Sequence, residues 1–340
     1  MPTTDVIAPP APPTAADLQA LLSRLGDEAY TPARVAALAD TIAEIQALKK
    51  KQRAVILAHN YQRPEIFQVA DFVGDSLELA QKATRVDADN IVFCGVHFMA
   101  ETAKILNPTR RVILPDLRAG CSLADSVTGE DLAARKEELR KIHPDLAVVC
   151  YVNTTADVKA ECDACCTSSN AVKVVEALPS RHILFVPDRN LAAWVQTQTK
   201  KAIIAWDGNC YVHHQITPQQ ILKVKEALPH VKVLAHPECR QDVLRVADAV
   251  LSTSGMVSYA KESPAHDFLI VTECGLSDRL VLEVPEKKFY KSCKLCQYMK
   301  MITLEGTRDA LRDLAPEITL DEDVRVRAKR ALDRMLELAS

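Results

Sequence analysis

The sequence predicts an α/β fold: three pseudo-threefold-related αβα domains, each a doubly wound parallel sheet, around a central active site. Two observations carry this expectation. An alternation of apolar strand-like runs and helix-like segments recurs three times, in register on Asp71, Asp163 and Asp248. Cys121, Cys210 and Cys296 each follow a strand-like run, 89 and 86 residues apart, so each copy supplies one. The boundaries read from the pattern are 1–28 for a disordered Pro-rich tail, then 29–128, 129–216 and 217–340 for the repeats, the last with C-terminal helices.

Residues 17–25 and 32–51 have apolar positions at helical spacing, the latter stretch ending in Lys49-Lys50-Lys51 as suits a helix C-terminus. Residues 54–58 read as a buried strand running into His59-Asn60-Tyr61-Gln62. A short helix from Pro64, the stretch 70–76, a helix through Lys82, a strand at 90–96 and a helix through Leu106 follow, and the run 112–115 leads to Cys121. The second copy repeats the order from 146–150 into Tyr151-Val152-Asn153, through 164–170, 182–186 and 202–205, to Cys210. The third goes from 231–235 into His236-Pro237-Glu238, through 249–255 and 268–271, to Cys296. Amphipathic helices at 307–314, with Thr307 as N-cap, and 321–338 are expected to cover an outer face.

Composition narrows the class. The chain of 340 residues is 48% hydrophobic and 26% charged, enough apolar material for sizeable cores. A net charge of −3 and the lack of a long basic run speak against a nucleic-acid partner. No apolar stretch approaches the ~18 residues of a membrane span. Residues 1–14 have neither early positive charge nor an apolar segment and do not read as a secretory signal. Eleven cysteines, an odd number without an export signal, argue against a disulfide framework and for the reducing cytoplasm, with some thiols as metal ligands.

In open parallel sheets, ligands bind beyond the carboxyl ends of the strands. If the three copies converge there, their cysteines meet. Three thiolates fit a [4Fe-4S] cluster with one iron left without a protein ligand, a Lewis acid for a hydroxyl or carbonyl oxygen. Zinc competes, since Cys293/Cys296 and Cys162/Cys165 have zinc-like spacing, but these pairs lie too far apart for a zinc ribbon. Cys94, Cys150, Cys165 and Cys166 fall in apolar runs and read as core. Cys293 is either a spare thiol or half of a redox pair with Cys296.

A lone His or Tyr is more often structural than catalytic. Here His59/Tyr61, Tyr151/Asn153 and His236/Glu238 occupy matched strand ends in all three copies, which favours function. Glu238 with His236 supplies a general base and acid, and Tyr151 a phenol that gives a proton to, or takes one from, an enol or imine. A second matched set, Asp75-Ser76, Thr167-Ser168 and Ser252-Thr253, stands before helices, where hydroxyls both cap and bind anions. No Walker or G-x-G-x-x-G fingerprint follows any strand, so no bound nucleotide is expected.

These residues lie in longer motifs: Ala58-His59-Asn60-Tyr61-Gln62, Gly74-Asp75-Ser76-Leu77, the run from Gly95-Val96-His97-Phe98 to Leu106-Asn107-Pro108, Thr167-Ser168-Ser169-Asn170, Pro187-Asp188-Arg189-Asn190-Leu191 and His236-Pro237-Glu238. With them, the chain resembles the quinolinate synthase family from about residue 50 to 338. The resemblance implies a threefold pseudo-symmetric αβα assembly whose [4Fe-4S] cluster is bound by Cys121, Cys210 and Cys296. It implies condensation of iminoaspartate with dihydroxyacetone phosphate to quinolinate, with loss of phosphate and two waters. The substrate-contacting positions it implies are His59, Tyr61, Ser76, Tyr151, Asn153, Ser168, His213, His236, Glu238 and Thr253. Of these, Tyr61, Tyr151, His236 and Glu238 are expected to be catalytic. Transient contact with an L-aspartate oxidase or dehydrogenase that makes the imine is a further implication. Some members carry Cys-x2-Cys-x2-Cys near the last ligand; here the first position is Tyr290, so their suggested redox disulfide is not expected to carry over. A hydro-lyase for a small hydroxy acid and a non-catalytic iron–sulfur sensor are the alternatives, the latter needing the cluster but not the polar strand ends.

Overall fold

The structure, a computed structural model, describes residues 13–26 and 28–339. Its first repeat runs α1 (Ala15–Leu22), α2 (Pro32–Lys51), β1 (Ala54–His59), α3 (Pro64–Phe67), β2 (Phe72–Gly74), α4 (Ser76–Ala83), β3 (Asn90–Cys94), α5 (His97–Leu106) and β4 (Arg111–Ile113). The second runs α6 (Gly129–Ile142), β5 (Ala147–Tyr151), α7 (Ala156–Ala160), β6 (Ala164–Cys166), α8 (Ala171–Ala177), β7 (His182–Val186), α9 (Arg189–Gln198) and β8 (Ala202–Ala205). α10 (Tyr211–His214) closes the second repeat, and the third holds α11 (Pro218–Ala227), β9 (Lys232–Ala235), α12 (Gln241–Leu244), β10 (Ala249–Val250), α13 (Thr253–Glu262), β11 (Asp267–Val271), α14 (Cys274–Glu283) and β12 (Lys288–Lys291). Two helices, α15 (Leu304–Asp313) and α16 (Glu322–Ala339), end the chain.

Each repeat forms one four-stranded parallel sheet with the same permutation: β2-β1-β3-β4, β6-β5-β7-β8 and β10-β9-β11-β12. The central strands are covered on both faces, which is why they read as continuous apolar runs rather than alternating ones. Val148, Val149 and Cys150 of β5 and Leu269, Ile270 and Val271 of β11 are all fully buried. The order reverses between the first and third strands of every sheet, which puts a crevice at their carboxyl ends.

The aspartates that align the copies do the same work in each. Asp71, Asp163 and Asp248 accept from the N–H of Ile56, Val148 and Val233 at 2.7, 2.7 and 2.8 Å, and donate their own N–H to the same residues' carbonyls. Each also meets a cation from the helix before the first strand: Lys49, Arg140 and Lys225 at 2.8, 3.7 and 3.5 Å. The pair of bonds fixes the register of the second strand against the first, three times over.

Several expectations are corrected. The helix read at 17–25 is present as α1, residues 15–22, capped by Thr14 and docked through buried Leu18 and Leu22, which shortens the tail assigned to 1–28; residues 1–12 lie outside the described residues. The N-cap of α15 is Thr303, not Thr307, which lies buried one turn in and donates its hydroxyl to the Thr303 carbonyl. The C-terminal helices, grouped by sequence with the third repeat, pack on the other two: α15 on α2 of the first, and α16 on α7, β6 and α8 of the second and on α5 of the first. Among the described residues, no helix is long and apolar enough to cross a membrane.

Candidate active site

The strand ends converge because the repeats are stitched together there. Asn60 at the end of β1 donates its amide to Thr253 Oγ1 at 2.7 Å, joining the first repeat to the third. Lys300 donates to the Tyr61 carbonyl at 2.5 Å, and Trp206 Nε1 to the Ser126 carbonyl at 3.0 Å. Two glycines permit the close approach. A Cβ on Gly275 would fall 2.6 Å from the Tyr61 carbonyl oxygen, and one on Gly208 would collide with the Ser126 hydroxyl of the first repeat.

The result is a cavity enclosing about 640 Å³, its open mouth included. All thirteen residues singled out from the sequence line it: Cys121, Cys210 and Cys296; His59, Tyr61, Tyr151, Asn153, His236 and Glu238 at the strand ends; Ser76, Ser168 and Thr253; and His213. Ser76 and Thr253 are the first residues of α4 and α13, with Asp75 and Ser252 as the caps. Ser168 sits instead in a turn two residues before Asn170, the cap position of α8, and its hydroxyl lies 3.2 Å from His236 Nε2.

Glu238 is the polar hub. One carboxylate oxygen lies 3.1 Å from His236 Nδ1 and 3.5 Å from His213 Nδ1, and accepts from the Tyr151 hydroxyl at 3.3 Å. Burial pushes its pKa up, but His213, His236 and the Tyr151 bond outweigh that and hold it below the usual range. Burial drives His59 down to about 3, helped by the charges of His236 and Arg279. It drives His213 down to about 4 against the pull of Glu238. Both rings are neutral at neutral pH. His59 Nδ1 accepts the Tyr61 N–H at 3.2 Å, which leaves the proton on Nε2. The phenols of Tyr61 and Tyr151 are pushed well above their usual range by burial and then by Glu238, so both are donors.

Residues not singled out complete the site. Thr272, buried at the end of β11, bridges the Tyr61 hydroxyl at 2.5 Å and His213 Nε2 at 2.8 Å. Glu273 lines the cavity next to it. The repeat alignment sets Thr272-Glu273 against Pro187-Asp188, the one signal that marks them in the sequence.

The three cysteines face the same space, and burial raises all three thiols: Cys121 to about 12, Cys210 well above the usual range, and Cys296 upward. Repulsion between neighbouring thiolates adds to this, Cys296 acting on Cys121 and Cys121 on Cys210. Coordination to a metal removes that penalty, because a bound thiol is deprotonated outright. Among the described residues, the one group of three ligand atoms within 4.8 Å of one another is Cys210, His213 and Glu238. At least one pair of the three cysteine sulfurs is therefore more than 4.8 Å apart. Cys293 is neither spare nor paired with Cys296: it forms a disulfide with Cys274 at the start of α14. The sequence did not raise Cys274 as a partner because it lies 19 residues earlier, beyond a strand and a helix. Cys94, Cys150, Cys165 and Cys166 are buried in the sheets.

Comparison with known proteins agrees over nearly the whole chain. The family model described as quinolinate synthetase A protein matches residues 43–337. The chain is 53% identical over 300 residues to quinolinate synthase 1 of Methanosarcina acetivorans, covering 88% of this chain and 97% of that one. It is 51% identical over 302 residues to quinolinate synthase of Desulforudis audaxviator, covering 88% and 98%. It is 48% identical over 322 residues to that of Xylella fastidiosa, covering 94% of each. With its three matched sheets and shared cavity, the chain belongs to the quinolinate synthetase A protein family, enzymes of NAD biosynthesis.

Proposed function

We propose that the protein condenses iminoaspartate with dihydroxyacetone phosphate to quinolinate, releasing phosphate and two waters, and does so with a [4Fe-4S] cluster on Cys121, Cys210 and Cys296. The observation that carries this reading is the convergence in one cavity of one cysteine and one polar strand-end pair from each repeat. The donor set fits the group. The three sulfurs do not all lie within 4.8 Å of one another, which suits ligands to a centre larger than one ion, and soft thiolates are what iron–sulfur clusters take. Among the described residues the buried atoms Glu238 Oε1, His213 Nδ1 and Asn153 Oδ1 have no hydrogen-bond partner, so the cavity is built for a polar occupant. When bound, the cluster supplies a Lewis-acidic iron with no protein ligand.

The protein's own groups divide the rest. His59 Nε2–H and the Tyr61 hydroxyl donate to the carboxylates of iminoaspartate, with Ser76 and Ser168 assisting. The N-termini of α4 and α13 face the cavity through Ser76 and Thr253, and their amides with these hydroxyls hold phosphate. Glu238, held as a carboxylate, takes protons during isomerisation and imine formation and passes them through His236. Tyr151, a protonated phenol beside Glu238, returns one. Asn153 and His213 complete the polar wall. We place this chemistry in the cytoplasm, with an L-aspartate oxidase or dehydrogenase handing over the unstable imine.

The test is anaerobic incubation of reconstituted protein with dihydroxyacetone phosphate and iminoaspartate generated in place, followed by chromatographic detection of quinolinate. Product that depends on both substrates supports the reading. A protein that carries its cluster yet forms no quinolinate contradicts it and returns the sensor.

A further inference from the structure

Among the described residues, two of the three cysteine loops are held by a buried carboxylate and the third is not. Asp188 caps α9: one oxygen accepts the Leu191 N–H at 2.7 Å, and the other accepts the N–H of Cys210 at 3.0 Å. Glu273 caps α14 in the same way, accepting the Gly275 N–H at 2.6 Å on one oxygen and the N–H of Cys296 at 3.0 Å on the other. Both carboxylates are 0% exposed. Lys300 stands 3.3 Å from Glu273, whereas Asp188 is held by backbone donors.

The surrounding backbone is the same in all three repeats. The N–H of Arg189 donates to the Gly208 carbonyl, that of Cys274 to Lys294 and that of His97 to Ala119, at 2.8, 3.4 and 2.7 Å. In every case the acceptor lies two residues before the cysteine. Where Asp188 and Glu273 stand, the first repeat has Val96, which offers no acceptor.

Capping alone does not call for these residues. Thr31, Thr128, Ser252 and Thr303 cap other helices of this chain with one hydroxyl each. A buried carboxylate is costly unless its oxygens are satisfied, and a hydroxyl would start α9 or α14 without that cost. The second oxygen is what a serine or threonine lacks, and in both repeats it goes to the peptide N–H of a cavity-lining cysteine. That bond fixes the backbone from which the sulfur projects.

We propose that Asp188 and Glu273 are positioning residues for the metal centre. Each uses one oxygen to start a helix and the other to set the backbone of a ligand cysteine, so that the Cys210 and Cys296 loops are pre-formed while the Cys121 loop has no such tether. The proposal rests on the reading of these cysteines as cluster ligands, and its test separates the two.

Asp188→Ser retains a helix cap and removes the reach to Cys210. Asp188→Asn and Glu273→Gln keep size and give a second set should the first fold poorly. In the full-length metal-free protein, hydrogen exchange read by mass spectrometry is expected to quicken about tenfold in the peptide holding the tethered cysteine, with the Cys121 peptide unchanged. In the anaerobically reconstituted protein, a chelator is expected to strip iron about tenfold faster from the variants than from the wild type. Unchanged exchange at Cys210 and Cys296 overturns the proposal, as does faster exchange with an unchanged rate of iron loss. Wild-type protein that takes up no iron and sulfide refutes the cluster reading instead, and the exchange measurement still decides the tether.

Discussion

The two ends of the first strand pair in each sheet have diverged to different degrees. At the second strand's start, Asp71, Asp163 and Asp248 make the same two backbone bonds, with a basic residue from the preceding helix beside each. At the carboxyl end of the first strand, the matched positions hold His59, Tyr151 and His236, then Tyr61, Asn153 and Glu238. The anchor is a scaffold part, and a scaffold part serves three times unchanged. The cavity needs a carboxylate, neutral imidazoles and phenols at different points around one small molecule, so its three contributions differ. Only the cysteine was kept in all three.

That contrast can be broken most severely at the cysteines. On the proposal that each repeat supplies one ligand, replacing Cys121, Cys210 or Cys296 by serine is expected to abolish iron–sulfur absorbance and turnover equally. Absorbance that survives in one variant would show unequal contributions. Next, Glu238→Gln is expected to keep the cluster and lower kcat by about 10²–10⁴-fold, the usual reach of a positioned acid–base group. Single-turnover product formation at the wild-type rate would remove Glu238 from the chemistry.

The scaffold end should respond in stability and not in catalysis. Asp71→Ala strands Lys49, whose side chain is 7% exposed, and is expected to cost about 3–5 kcal/mol in urea unfolding. Asp163→Ala and Asp248→Ala leave half-exposed basic partners and should cost about 1–3 kcal/mol. Folded fractions of all three should keep the wild-type kcat; a kcat defect in any of them would erase the division between the ends.

The smallest effect is in pH. His59 and His213 protonate at about 3 and 4 in the folded protein, but at about 6.5 when unfolded. Between those values the unfolded chain binds more protons, so stability rises with pH across this window and falls as the pH drops from 6.5 toward 4. Each ring contributes up to about 1.4 kcal/mol per pH unit. Urea midpoints measured from pH 7 to 5 should fall less steeply in His59→Gln. An unaltered slope would show that burial does not hold this imidazole neutral.

The fold was legible because a doubly wound sheet writes itself into the sequence as buried runs, and three copies check one another through Asp71, Asp163 and Asp248. The cavity was legible where residues repeat at strand ends and before helices, Thr253 among them, and His213 was legible only through the family resemblance. Thr272 was not: it lies directly after the buried strand β11, and its role comes from Tyr61 and His213 reaching it from elsewhere in the chain. The Cys274–Cys293 bridge was hidden for the same reason, since pairing depends on α14 starting beside the Cys296 loop. The placement of α16 on the second repeat was equally unreadable, because amphipathicity shows that a helix has an apolar face and not which surface receives it.

The central claim is that three matched units each give one thiolate to a single iron–sulfur centre. Iron and acid-labile sulfide, quantified together on anaerobically purified wild type and the three cysteine-to-serine variants, test it most directly. The expected result is about four of each per chain in the wild type and loss of both in every variant. One metal ion per chain without sulfide, retained in Cys121→Ser and Cys296→Ser but lost with Cys210, would place a single ion on Cys210, His213 and Glu238 and contradict the account.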